Sequence, residues 1–289
     1  MRTHGTKPTE PTEPTEPTEP TEPTEPTEPT EPTEPTVARR INREAVVVLG
    51  WGRAILLQLA HPLVAAGVGD HSGFREGAGG YVRRARGTIG SMLTITFGRP
   101  DEVQATIDHI NEIHDRVHGT LGETVGGYPA GTPYSARDPQ LLLWVHATLI
   151  ESMVLTYEAL VGPLTTAEKD RYAFEAAFTA ERLGVAREAI PLTYTGVDRH
   201  LRDQYASGRI VVGPTARELA RALLWPPAGP VAPAFRLTRL ITIGLLPPHV
   251  REQYGFEWDA RRERRFTRVF GIIRRIRGTL PAWLREWPH

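Results

Sequence analysis

Cysteine is absent from all 289 residues. Its absence excludes thiol catalysis, zinc–thiolate centres, iron–sulfur clusters and a disulfide framework, and it leaves histidine and the carboxylates as the expected metal ligands. Long apolar runs are missing as well. Arg53, Gln58 and His61 interrupt one apolar stretch, and His146 and Glu151 another, so none approaches the roughly 18 unbroken apolar residues of a membrane span. The first residues contain no apolar segment of a secretory signal, and the expected location is cytoplasmic. Lysine is nearly missing too: past residue 36 only Lys169 occurs, so arginine carries the positive charge.

What is abundant is unevenly placed. Residues 8–36 are a Pro-Thr-Glu triplet repeat that holds 10 of the 26 prolines and 9 of the 34 acids, beside only two bases, Arg2 and Lys7, in residues 1–36. The other 253 residues carry 32 bases against 25 acids. The formal net charge of zero is therefore a tail at −7 (2 − 9) added to a body at +7 (32 − 25). Proline at every third position suits polyproline II, removes backbone donors and leaves nothing to bury. Residues 1–36 are expected as a disordered acidic tether that could reach roughly 90 Å at ~3.1 Å per residue.

Beyond Thr36 the apolar residues recur three and four apart. Segments 39–69, 74–97, 101–122, 137–161, 165–183, 214–224, 232–245 and 258–278 read as helices, and two-residue alternation is nearly absent. Residues 37–289 are expected as one all-α domain of eight to ten helices, with Asp101 as an N-cap after Pro100.

Three histidines fall on inward stripes. His114 lies in the series Val103, Ile107, Ile110, His114, Val117 and Leu121, whereas His109 and His118 fall outside it. His61 follows Leu57 and precedes Val64 and Val68, next to Pro62, which is expected to kink the helix. His146 lies between Leu142 and Leu149 on a third helix. A buried imidazole must satisfy its nitrogens or bind something, since an unpaired buried polar group costs on the order of 1–3 kcal/mol. Three such residues on three helices point to a site. Arg84 lies one turn before Thr88 on a further stripe, where a guanidinium and a hydroxyl could bind an oxygen species or a carboxylate.

Four segments together resemble the family of the ER-bound oxygenase MpaB and the rubber oxygenases, or latex clearing proteins. They are residues 56–72, with His61-Pro62 and Asp70-His71-Ser72; Arg84 to Thr88, ending in Phe97-Gly98; His114 to Val117 and Gly119; and Tyr134 to Asp138-Pro139, leading to Trp144, His146 and Thr148. They occur in the family's order and span about residues 40 to 285. The resemblance implies a globin-like helical core holding haem b, with His114 as the axial iron ligand and Arg84 and Thr88 on the oxygen-binding side. It implies an oxygenase acting with O2 on an apolar substrate. His61 and His146 are expected at the cofactor pocket or in support of its ligands. Rubber oxygenases carry a lysine just before the threonine, and here the residue is Gly87. Capping of the iron by lysine is thereby excluded, and a substrate smaller than polymeric rubber, isoprenoid or lipid-like, is expected.

Two other readings are open. His114-Asp115 is also a dyad of metal-dependent phosphohydrolases, with His118 one turn on. The C-terminal segment interleaves Arg261, Arg262, Arg264, Arg265, Arg268, Arg274, Arg275 and Arg277 with Phe266, Val269, Phe270, Ile272, Ile273 and Ile276. That pattern either packs one face on the domain or meets an anionic membrane surface. No nucleic-acid partner is expected.

Overall fold

The structure, a computed structural model, describes residues 36–71, 77–226 and 232–287. The side chains of residues 77–86 and 232–234 are outside that description, as is the repeat tail as far as Pro35. Thirteen α-helices dominate the described residues, with one two-stranded sheet. The last threonine of the repeat has a structural role: the Thr36 hydroxyl accepts a hydrogen bond from the Arg39 amide and caps α1 (Val37–Asn42).

The first expected helix, 39–69, is broken twice. After α1 a 3-10 turn (Ala45–Gly50) leads into α2 (Trp51–Leu59), and α3 (Pro62–His71) then leaves at 105°. The proline explains the second break. Pro62 is the first residue of α3, where a missing N–H costs nothing, and the His61 carbonyl accepts from Ala65 N at 3.0 Å to start the new helix. The anticipated kink is thus a complete change of direction.

The centre of the body is α6 (Pro139–Leu160), capped by Asp138 and buried around most of its circumference, as expected of a helix that is apolar on all sides. Its neighbours approach closely at glycine. A β-carbon on Gly50 would lie 2.4 Å from Thr156 Oγ1, and one on Gly52 would lie 2.3 Å from Thr242 Oγ1 of α10 (Ala232–Leu245). Between them Arg53, 1% exposed, ties three helices together. Its guanidinium donates to Glu151 at 2.8 Å, Ser152 Oγ at 2.7 Å and the Leu245 carbonyl at 2.9 Å.

The expected helix 101–122 starts and ends elsewhere. α4 (Gly77–Phe97) is followed by α5 (Pro100–Arg116), whose N-cap is Arg99. Asp101 is not the cap. It sits in the first turn, paired with Arg99, while Glu102 accepts from the Arg99 amide at 2.9 Å. The chain then turns extended, and β1 (His118–Thr120) pairs antiparallel with β2 (Pro133–Ser135). Gly119 allows this, because the Tyr134 hydroxyl occupies the place where a β-carbon would stand, 2.6 Å away.

α7 (Thr166–Arg182) and α9 (Pro214–Leu224) lie close to the expected limits. α8 (Tyr194–Ala206) was not anticipated: only Val197 and Leu201 of its polar sequence are buried, too few to mark a stripe. After α11 (Pro248–Gln253), α12 (Ala260–Thr279) lays Phe266, Val269, Phe270 and Ile273 against Leu160, Ile241 and Leu245. A short α13 (Ala282–Arg285) follows, and the chain returns to its start through an ion pair between Arg43 and Glu286 and a bond from Trp287 N to the Arg43 carbonyl.

Candidate functional site

The burial of α5 follows the expected stripe. Ile107 is buried, Val103, Ile110 and His114 are half-buried, and His109 is exposed. His114 lies in the last turn, just before the chain becomes extended, and its side chain meets a cavity of about 260 Å3. The walls are Leu63, Val64, Gly67, Val68 and His71 of α3, Val117, Tyr134 and Ser135 of the hairpin region, and Leu141, Leu142 and Val145 of α6. Tyr134 is held in place by its bond to Asp70 Oδ2 at 2.7 Å.

His114 Nδ1 is buried and has no hydrogen-bond partner among the described residues. Burial holds its pKa below the ordinary histidine value, and the positive charge of Arg137 adds to the effect. The ring is therefore neutral near pH 7, the form in which imidazole binds metals. Arg137 is itself anchored on α5, donating to Asp115 at 2.7 and 3.0 Å and to Asn111 Oδ1 at 2.6 Å.

A second cavity, of about 340 Å3, adjoins the first, and Gln58, Val64 and Val68 line both. It is walled by Trp51, Ile55 and Leu59 of α2, Leu223 and Leu224 of α9, and Phe235, Thr238, Arg239 and Thr242 of α10. Thr88 and Ile89 of α4 close another side. His114 and Thr88 thus face neighbouring compartments. The Arg84 side chain lies outside the described residues.

The other two inward histidines are buried but line neither cavity. His61, 4% exposed, has both nitrogens occupied: Nδ1 accepts from Leu63 N at 3.3 Å and Nε2 meets the Tyr128 hydroxyl at 3.2 Å. Burial lowers its pKa to about 4. His146 faces α8, where burial, aided by the nearby His200, also lowers its pKa to about 4. Its Nε2 and that of His200 are buried without a partner among the described residues. Sequence periodicity missed His71, Tyr134, Gln58 and Arg239. The first three belong to segments whose pairing with α5 and α6 is set by the break at Pro62 and by the hairpin, neither of which has a helical period.

The phosphohydrolase dyad is not assembled. Asp115 is exposed and held by Arg137, His118 is exposed on β1, and among the described residues no three His, Asp or Glu side chains converge to hold a metal ion. A haem needs no such cluster. One neutral imidazole with an unsatisfied nitrogen, on the wall of an apolar cavity, fits what a haem requires of the chain.

Residues 38–275 match the family model described as ER-bound oxygenase mpaB/B'/Rubber oxygenase, catalytic domain. The chain belongs to that family. An oxygenase-type function follows from membership, and with it an enzyme that takes a substrate and O2. Two relatives, uncharacterized proteins of Mycobacterium bovis and Mycobacterium tuberculosis, are each 29% identical over 212 residues, covering 70% of this chain and 78% of the relative. No solved structure matches the chain significantly. Among the described residues no single helix of this family member is long and apolar enough to cross a membrane. The pair Ala45–Leu59 and Pro62–His71 has the length and composition only as a bent unit.

Proposed function

We propose that the protein is a haem b-dependent oxygenase with a globin-like haem-binding core, in which His114 is the axial iron ligand and the substrate is a small apolar, isoprenoid or lipid-like molecule. The observation that carries this reading is the His114 ring, neutral and with a buried, unpartnered Nδ1 on a cavity wall. Bound haem would supply an iron able to bind and activate O2.

In this reading the chain has four tasks. Arg137 keeps α5 docked and adds to the effect of burial in keeping His114 unprotonated. The walls of the two cavities exclude water and seat the apolar substrate. Thr88, with Arg84 one turn before it, provides hydrogen-bond donors that orient the oxygen species and the substrate. Gly87 brings no amine to this site, so capping of a bound iron by a lysine there is excluded. His61 and His146 support the surrounding helices, His61 by holding the α2–α3 break and Tyr128 together.

The test is the absorption spectrum of protein expressed with added haem precursor. A Soret band that is lost in His114→Ala and kept in His118→Ala is expected. Wild-type protein that takes up no haem on reconstitution ends the proposal.

A specific observation also favours peripheral contact with an anionic membrane from the cytoplasmic side. α12 packs one face on the body, yet Ile272 and Ile276 are 51% and 53% exposed, and Trp283 and Leu284 beyond it are 76% and 49% exposed. Arg264, Arg268 and Arg275 are exposed beside them and form no ion pair among the described residues. Exposed apolar side chains among unpaired arginines suit a lipid headgroup layer. Co-sedimentation with phosphatidylserine vesicles that disappears in high salt or in Ile276→Glu is the expected result.

A further inference from the structure

The 340 Å3 cavity has a charged neighbour. Behind α10 lies a recess of about 430 Å3, and Arg239 lines both spaces. The recess also holds Arg236, Arg262 and Arg265, with Glu257 as its one acid. Glu257 is engaged, accepting from Arg262 at 3.0 Å. Arg236, Arg239 and Arg265 form no ion pair among the described residues.

Arg239 is the hinge between the two environments. Its guanidinium lies over the Trp225 ring, 4.7 Å from the centroid, which fixes its plane. Burial lowers its pKa, and the charges of Arg236 and Arg265 lower it further. Crowding three guanidinium groups without a counter-ion is unfavourable, and an anion placed among them relieves it. The apolar side has its own unsatisfied group: Thr242 is fully buried, lines the cavity floor, and its Oγ1 has no partner among the described residues.

An apolar compartment with Arg239 on its wall, and with the exposed Arg236 and Arg265 beside Arg239 in the neighbouring recess, has the polarity of an amphiphile. Three positive charges match a phosphoryl group, which carries nearly two negative charges at neutral pH, better than a single carboxylate. We infer that the substrate is a phosphorylated amphiphile, its apolar chain in the 340 Å3 cavity and its phosphate or diphosphate head at Arg239, Arg236 and Arg265. The catalytic meaning of this inference rests on the oxygenase reading; the binding does not.

The experiment is calorimetric titration of the full-length protein with dodecyl phosphate below its micelle concentration. Dodecan-1-ol, dodecyltrimethylammonium and inorganic phosphate serve as comparison ligands. Dodecyl phosphate is expected to bind at least about tenfold more tightly than the alcohol, and the Arg236→Gln/Arg265→Gln variant to lose that advantage with an unchanged melting temperature. The ammonium compound and free phosphate are expected to bind weakly. Equal affinity for phosphate and alcohol overturns the inference, as does an unchanged affinity in the double variant.

Two further arms separate other occupants of the arginines. Binding to phosphatidate vesicles without binding of monomeric dodecyl phosphate assigns the recess to a membrane surface and overturns the inference. Loss of the Soret band in Arg239→Gln with dodecyl phosphate binding intact assigns Arg239 to the haem propionates and overturns it too. Because titration needs neither turnover nor haem, a protein without haem still reports on the head group. Conversely, a haem-loaded protein indifferent to the phosphate leaves the oxygenase reading standing.

Discussion

The break at His61 and the end of α5 at His114 place the same side chain at a helix terminus, and burial lowers its pKa at both. They differ in what completes the ring. At His61 the Leu63 amide and the Tyr128 hydroxyl take the two nitrogens, so the imidazole joins two helices and a loop. At His114 Nδ1 is left without a partner beside a cavity. An inward stripe selects a histidine for burial, but its hydrogen bonds and its place on a cavity wall together separate a structural ring from one left available to a ligand, since the open Nε2 of His146 faces neither cavity.

Substitutions should divide along that line. The largest effect expected is on haem: His114→Ala loses the Soret band entirely, while its stability changes by less than about 1 kcal/mol because no hydrogen bond of the ring is removed. His61→Ala should do the reverse. It deletes a buried ring and strands the Tyr128 hydroxyl, costing about 2–4 kcal/mol in chemical denaturation, while the folded fraction retains haem. If His61→Ala abolishes haem binding in folded protein, the distinction between the two histidines fails.

Acid should expose the same contrast. His61 and His146 have folded pKa values near 4 against 6.5 for the free side chain, so the unfolded chain binds protons first as pH falls. Their contribution is full above about pH 6.5 and is lost as pH falls toward 4, up to about 3 kcal/mol for each. Denaturation of His61→Gln between pH 7 and 4 should give a shallower decline, with proton uptake on unfolding reduced by about one. For His114 the lever is Arg137. In Arg137→Ala the imidazole pKa rises toward its ordinary value, so protonation and haem release begin at higher pH in a spectrophotometric titration. Release at an unchanged or lower pH would show that the Arg137 charge does not add to the effect of burial on the ring. The smallest effect concerns Gly87, where an added β-carbon meets nothing within 4 Å. Gly87→Ala should raise stability by about 0.5–1 kcal/mol through helix propensity, with haem content unchanged.

Much of this organisation was legible in the residues. The helical period placed α4, α6, α7, α9, α10 and α12 near their observed limits, and the α5 stripe set His114 apart from His109 and His118. Other features were not. The helix α8 hides in a polar sequence because two buried residues suffice to dock it, and the β1–β2 pair replaces the end of a helix because Gly119 makes room for Tyr134.

The sequence by itself determined a helical body, a separate acidic repeat, the absence of thiol chemistry and the family membership, since period, composition and motif order are local properties of the chain. Which histidines keep an open nitrogen, that His114 among them lines a cavity, and that Arg239 joins an apolar cavity to a recess with two further unpaired arginines, only the tertiary structure decided. The physical reason is that a ring nitrogen or a guanidinium is satisfied by whatever the fold brings within hydrogen-bonding distance. For His61 and Tyr128 that partner is 67 residues away, and for Arg53 and Leu245 it is 192.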